Sequence, residues 1–350
     1  MTETVYRELA KKLNALPQGF PPTEDGSDLR LLEYLFTPEE ALLTSQLKHE
    51  LENMKNLLTR IGRDRKETMP ILKGLTKRGL IRFGRGANGS GFALEPFVVG
   101  FYEAQASTLT AELAVLFENY YQQAFGDLLH LEPKAHRIIP VHETIENNIE
   151  VQPYESVIEI VDRAKSYAVQ DCICRKQKEL IGDPCDHPME VCLIMSPVEN
   201  SFTNSNGMRA ITRNETLEIL KQCSEVGLVH SVSNTQEGNY YICNCCTCSC
   251  GFLRGMADLG IANVMARSAF VVHVDESLCI ACGACMEACS FNALTLEETI
   301  VVNEQRCMGC GVCVHTCPTE ALKLIRRPED EIKPIPKTHK AWGAERLSQK

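Results

Sequence analysis

No run of about 18 apolar residues occurs in the 350-residue sequence, which excludes an ordinary helical membrane span. The opening residues, MTETVYRELAKKL, mix acids with bases around no apolar core, so a secretory signal is not expected and a cytoplasmic location is. There is no P-loop, and the glycine-rich run GRGANGSG at 84–91 lacks the strand-to-helix setting of a dinucleotide fingerprint. No serine or cysteine can be argued into a catalytic triad. Aromatic residues make up only 6%, with a single tryptophan, Trp342. Positive charge is in deficit as well: 36 Lys and Arg against 46 Asp and Glu leave a net charge of -10, which opposes nucleic-acid binding by the molecule as a whole.

Cysteine is abundant. Eighteen of them in a chain expected to occupy a reducing compartment read as metal ligands or redox groups rather than disulfides. Residues 270–325 form an internal repeat: a shift of 28 lays Cys279, Cys282, Cys285 and Cys289 onto Cys307, Cys310, Cys313 and Cys317, and Ala293 and Leu294 onto Ala321 and Leu322. Each copy has the spacing C-x2-C-x2-C-x3-C, in which three thiolates wrap one iron-sulfur cube and the fourth crosses to the other. On that rule Cys279, Cys282, Cys285 and Cys317 hold one [4Fe-4S] cluster, and Cys307, Cys310, Cys313 and Cys289 hold the other. Zinc more usually takes two separated knuckles, so eight interleaved ligands argue against it here. The stretch resembles the two-cluster [4Fe-4S] ferredoxins. That resemblance implies paired hairpin-and-helix units with pseudo-two-fold symmetry, and single-electron transfer to a redox partner protein. Pro318 follows the last cysteine as the family expects, whereas Ser290 stands at the equivalent place in the first copy.

Nine further cysteines fall into two segments. DCICRKQKELIGDPCDHPMEVC carries Cys172, Cys174, Cys185 and Cys192, and CNCCTCSC carries Cys243, Cys245, Cys246, Cys248 and Cys250. So dense a field of thiols would be prone to oxidation unless a metal held it. One or two further Fe-S clusters are the favoured occupants; zinc, with Cys185, His187 and Cys192 as conceivable ligands, and redox-active dithiols are the alternatives. Adjacent C-x-C and C-C pairs strain to reach one core, so some should serve different centres. Arg175 and Lys176 would favour thiolates and offset cluster charge. Cys223, on the apolar face of an expected helix, reads as a small buried hydrophobe.

The expected architecture is α+β, with a winged-helix-like domain at 1–105, a mixed cysteine-rich middle domain at 106–268, the ferredoxin domain at 269–326 and a tail at 327–350. Helices are expected over 28–37, 52–61 and 65–78, followed by a hairpin in LIRFGRGANGSGFAL, with Pro70 interrupting the third helix. Basic residues concentrate there: Arg63, Arg65, Lys66, Lys73, Lys77, Arg78, Arg82 and Arg85. In the middle, helices are expected over 108–130 and 153–168, with Pro153 in a first turn, and from a Thr212/Glu215 capping box to about Gly227. A strand is expected over 137–141, and His230 near a helix end. The charged, Pro-rich tail reads as disordered or wrapped on a neighbour, with Trp342 as a docking residue.

Taken whole, with CICR at 172–175, CNCC at 243–246 and the final repeat, the chain resembles ferredoxin-type proteins of anaerobes that place a winged-helix-like region and a cysteine-rich middle before a dicluster ferredoxin. The favoured reading is an iron-sulfur electron-transfer protein. A redox-sensing winged-helix transcription regulator, and an oxidoreductase with its active site in the middle domain, are the alternatives.

Overall fold

The computed structural model describes residues 2–86, 89–141, 151–203, 205 and 207–349. The chain divides into two compact units, one of Met1–Leu128, Lys176–Asp183 and Arg346–Lys350, the other of Leu129–Arg175 and Pro184–Glu345.

In the first unit, α1 (Thr2–Asn14) buries Tyr6, Leu9 and Leu13 and packs on α2 (Ser27–Leu35) and α3 (Pro38–Ser45). Thr37 starts α3 through a capping box: its hydroxyl accepts from the Glu40 amide while the Glu40 carboxylate accepts from the Thr37 amide. β1 (Glu52–Asn53), α4 (Met54–Ile61), α5 (Arg65–Lys77), β2 (Ile81–Gly86) and β3 (Gly89–Leu94) follow, and the three strands form a sheet in the order β1-β3-β2. Gly91 permits the β1 contact, since a Cβ there would lie 2.4 Å from the Glu52 carbonyl oxygen. The helix expected from Glu52 starts two residues later because Glu52 is taken into β1, where Arg60 and Lys48 pair with its buried carboxylate. Pro70 does not interrupt α5: it removes one donor, yet the helix runs on to Lys77. Ala87 and Asn88, the tip of the expected hairpin, lie outside the described residues. The helix expected over 108–130 begins after the Thr110 cap, as α6 (Ala111–Tyr120), a π turn (Tyr121–Phe125) and α7 (Gly126–His130). Tyr102 stacks on Phe117 at 4.0 Å between ring centroids.

The second unit contains, in chain order, β4 (His136–Ile138), α8 (Val157–Asp162), β5 (Ser166–Asp171), the start of α9 (Ile173–Leu180), β6 (Glu190–Ser196), β7 (Arg209–Ile211), α10 (Arg213–Glu225), β8 (Val229–Ser233), β9 (Tyr241–Cys245) and α11 (Arg254–Asp258). The strands make an antiparallel sheet in the order β4-β8-β9-β6-β5-β7. Val157, Ile160 and Val161 of α8 and Leu220 of α10 close a core over Val169, Leu193, Met195, Val232 and Ile242. Thr212 and Glu215 form the expected capping box. The helix expected over 153–168 is shorter at both ends. Ser156, not Pro153, sets its start by accepting from the Glu159 amide, and from Ser166 the aromatic and β-branched pattern SYAVQ is drawn into the sheet, carrying Ala168 with it. His230 lies in β8 rather than near a helix end, because Gly227, with φ 81, turns the chain out of α10 before it.

The same unit holds the cysteine repeat. β10 (Phe270–Val274), α12 (Ala284–Glu287), β11 (Leu294–Leu296), β12 (Ile300–Val302), α13 (Val312–His315) and β13 (Leu322–Arg326) succeed one another, with β10 paired to β13 and β11 to β12. The 28-residue period is written in the backbone. Gly283 and Gly311 have φ 77 and 81, Ala281 and Gly309 have φ 54 and 65, and Asn292 and Glu320 have φ 49 and 54. Beyond it, α14 (His339–Leu347) corrects the reading of the tail. Trp342 is 5% exposed and its indole donates to the Lys134 carbonyl at 3.0 Å, while the Pro336 and Lys337 carbonyls accept from Gln236 and Glu237. The tail packs on its own chain, and Trp342 is a core residue. No helix among the described residues is long and apolar enough to cross a membrane.

Candidate iron-sulfur and thiolate sites

Cys279, Cys282, Cys285 and Cys317 line one small cavity, walled by Ala281, Gly283 and Pro318. Cys310 and Cys313 both lie within electrostatic reach of Cys307 and Cys289. The fourth cysteine of each copy therefore sits with the trio of the other. An all-thiol lining with small neighbours is the donor set a cubane needs. Burial, then the neighbouring thiolates, pushes Cys285 and Cys313 up and Cys310 up to about 12, so these thiols hold protons that a metal must displace. At Cys317 burial acts in the same direction, but the Thr319 amide and hydroxyl and the Ala321 and Leu322 amides outweigh it and hold the thiol below its ordinary value. Cys282 is exposed, whereas Cys307 and Cys313 are buried. Cys285 of the first group is buried as well, so that group is the more exposed of the two through Cys282; beside the second group the Val141 amide donates to the Cys310 carbonyl at 2.9 Å.

The middle cysteines separate into two groups. Six form a closed ring, in which Cys172 interacts with Cys174 and Cys192, Cys174 with Cys250, Cys192 with Cys243, and Cys245 with Cys243 and Cys250. The topology explains it. Cys172 lies between β5 and α9, and Cys174 in the first turn of α9. The β6/β9 register that pairs Leu193 with Ile242 brings Cys192 beside Cys243, and Cys243 and Cys245 share one face of β9. The second group is Cys185, His187, Cys246 and Cys248, whose four ligand atoms all lie within 4.8 Å of one another. Cys192 therefore does not join Cys185 and His187, as the zinc alternative had it; β6 holds it in the ring. The adjacent pair Cys245 and Cys246 divides between the groups, while the C-x-C pairs 172/174 and 243/245 each stay together in the ring.

Arg175 ties the segments together. It is 1% exposed, and its guanidinium donates to the Pro188 and Asn244 carbonyls, each at 2.8 Å. Burial alone would favour its neutral form, but the thiolates of Cys172, Cys246 and Cys245 outweigh this and raise its pKa. Lys176 belongs to the first unit. Asn244 is a second knot, since its side chain donates to the Val191 carbonyl at 2.7 Å and accepts from His230 Nδ1 at 2.6 Å. Desolvation, opposed by the Asn244 bond, lowers the His230 pKa to about 4, so the ring is neutral in its buried place. Cys223, 1% exposed, sits in the apolar cluster with Val191 and Leu228, and its thiol is pushed up to about 12 by burial. The pairing of Cys185 and His187 with Cys246 and Cys248 escaped the sequence reading, although a C-x-H facing a C-x-C was the available signal. A cleft of about 850 Å³ opens between His187 and Thr247 on one side and Cys289, Ser290, Phe291 and Arg306 on the other.

Comparison with known families identifies one segment. The family model of the 4Fe-4S dicluster domain matches residues 278–321, so the chain carries a ferredoxin-type iron-sulfur segment suited to electron transfer. No curated protein and no solved structure matches the chain.

Proposed function

We propose that this chain relays single electrons between an external redox protein and a metal-thiolate centre in its own middle region. Cys279, Cys282, Cys285 and Cys317 hold the outer [4Fe-4S] cluster, and Cys307, Cys310, Cys313 and Cys289 the inner one. The observation that carries this reading is the graded exposure of the two thiol groups within one unit that also contains the six-cysteine ring. Each cluster, when bound, supplies a one-electron couple. Around the outer group, Leu278 and Ile280 are 44% and 63% exposed, which offers an apolar patch to a docking partner. Around the inner group, the Val141–Cys310 hydrogen bond and the Arg326–Glu155 ion pair at 2.9 Å join the repeat to the sheet region. The ring of Cys172, Cys174, Cys192, Cys243, Cys245 and Cys250 holds the further Fe-S centre that receives the electron.

An anaerobic reductive titration tests this. The full chain takes up more than the two electrons that its dicluster segment accounts for, and the double variant Cys192→Ser/Cys243→Ser takes up two. Saturation of the unaltered chain at two electrons sinks the relay into the middle region.

A second reading, a redox-sensing regulator, draws on the first unit. The order α3, β1, α4, α5, β2, β3 with sheet order β1-β3-β2 supports a winged-helix assignment. Exposed Lys73 and Lys77 stand four residues apart on one face of α5, with exposed Arg65 in its first turn. Against it, Arg63, Arg78 and Arg82 are paired with Glu39, Glu40 and Glu95. Salt-dependent DNA binding abolished by Lys73→Glu/Lys77→Glu would establish this reading; its absence leaves the electron carrier.

A further inference from the structure

We propose that Cys185, His187, Cys246 and Cys248 hold one zinc ion in a closed tetrahedral site, separate from the six-thiol ring and from the ferredoxin repeat. The site does not rest on the electron-transfer reading. Its ligands come from two short loops, one before β6 and one after β9, each offering two ligands with a single residue between them. Cys185 Sγ and Cys246 Sγ are 4.0 Å apart, and Cys248 Sγ is 3.7 Å from His187 Nδ1. A tetrahedral zinc with bonds of about 2.3 Å to sulfur sets its thiolates roughly 3.8 Å apart. The observed spacing therefore already fits a single ion. A cubane presents a separate iron to each ligand, so its thiolates stand wider apart than those around one metal atom, and four donors this close would crowd it.

The ligand chemistry agrees. Three thiolates and one imidazole make a closed structural set that zinc accepts and that leaves no open position for substrate. The Ser249 hydroxyl donates to Cys185 Sγ at 3.2 Å, as the outer neighbours of a bound thiolate do. The position gives the ion a task. Cys246 and Cys248 lie between Cys245, at the end of β9, and Cys250, both of the ring, so zinc would clamp the loop that joins two ring thiols. In that role the ion orders the neighbouring centre without exchanging electrons itself.

The test is metal analysis of the full chain purified anaerobically, with zinc the metal followed, together with zinc K-edge X-ray absorption. The expected result is about one zinc per chain with three sulfurs at about 2.3 Å and one nitrogen at about 2.0–2.1 Å. Cys248→Ser, at an exposed position, and His187→Ala should each lower retained zinc about tenfold. A zinc shell of four sulfurs overturns the site, as does zinc unchanged in both variants, or iron lost in place of zinc. The paramagnetic resonance of the reduced dicluster segment, followed in the same samples, reports on the electron-transfer reading separately.

Discussion

Gly309→Ala separates the two half-sites of the repeat. A Cβ at Gly309 would stand 2.1 Å from the Phe270 carbonyl oxygen, 2.3 Å from Ser268 Oγ and 2.8 Å from the Phe270 carbonyl carbon. None of these can move freely. Ser268 Oγ donates to the Gly309 carbonyl at 2.8 Å and accepts from the Phe270 amide at 3.2 Å, and the Phe270 carbonyl accepts from the buried Arg327 at 3.1 Å. The left-handed φ of 65 is the lesser problem, because the repeat mate Ala281 holds φ 54 with a side chain present. Forced overpacking costs about 1–3 kcal/mol and a left-handed alanine about 1–2 kcal/mol, so Gly309→Ala should destabilise the unit by roughly 2–5 kcal/mol. Gly283→Ala is the control: its φ is 77 but nothing lies within 4 Å, so only the conformational share, about 1–2 kcal/mol, applies. Anaerobic denaturation with iron and sulfide analysis is the assay. Gly309→Ala should lose the inner cluster held by the Cys307–Cys313 loop, and Gly283→Ala should keep both. Full iron and stability within about 1 kcal/mol for Gly309→Ala would refute the close-approach reasoning.

Three further outcomes are expected. His230, neutral and buried with a pKa near 4 against an ordinary 6.5, leaves the unfolded chain binding the extra proton between those values. Its contribution is full above pH 6.5 and is lost as pH falls towards 4, about 3 kcal/mol over the window, so urea denaturation should show a steeper acid decline in the natural protein than in His230→Gln. Arg175→Met removes a buried cation and two carbonyl partners, and should cost about 3–5 kcal/mol and strip metal from the middle region while the ferredoxin repeat keeps its iron; Arg175→Lys, without the planar fork, should rescue only part. Trp342→Ala leaves a buried void and takes from the Lys134 carbonyl one of its two donors, the Asn234 amide remaining, and should lower stability by about 3–5 kcal/mol in chemical denaturation, whereas a surface docking role would leave stability unchanged.

The repeat was legible because its chemistry is local: ligand spacing, the 28-residue period and the paired Ala-Leu steps all lie along the chain. The helix start with a capping box was legible for the same reason, at Thr212, whereas the Asp64 cap of α5 was not read. What escaped depends on partners distant in sequence. Ala168 reads as helix until β6 and β7 claim it from either side, and Trp342 reads as a surface residue until residues two hundred positions away cover it. The middle cysteines were visible as a field but not as groups. Their division into six and three with His187 is decided by the β6/β9 register and by Arg175 bridging three segments, and no spacing rule encodes either.

The relay requires eight cysteines near the C-terminal end to close crosswise around two [4Fe-4S] clusters. Iron and acid-labile sulfide counted on the anaerobically purified full chain, with electron paramagnetic resonance after reduction, test it most directly. Eight or more of each per chain and the spectrum of two interacting reduced cubes are expected. Four or fewer irons, or the signal of a single isolated cluster, would contradict it.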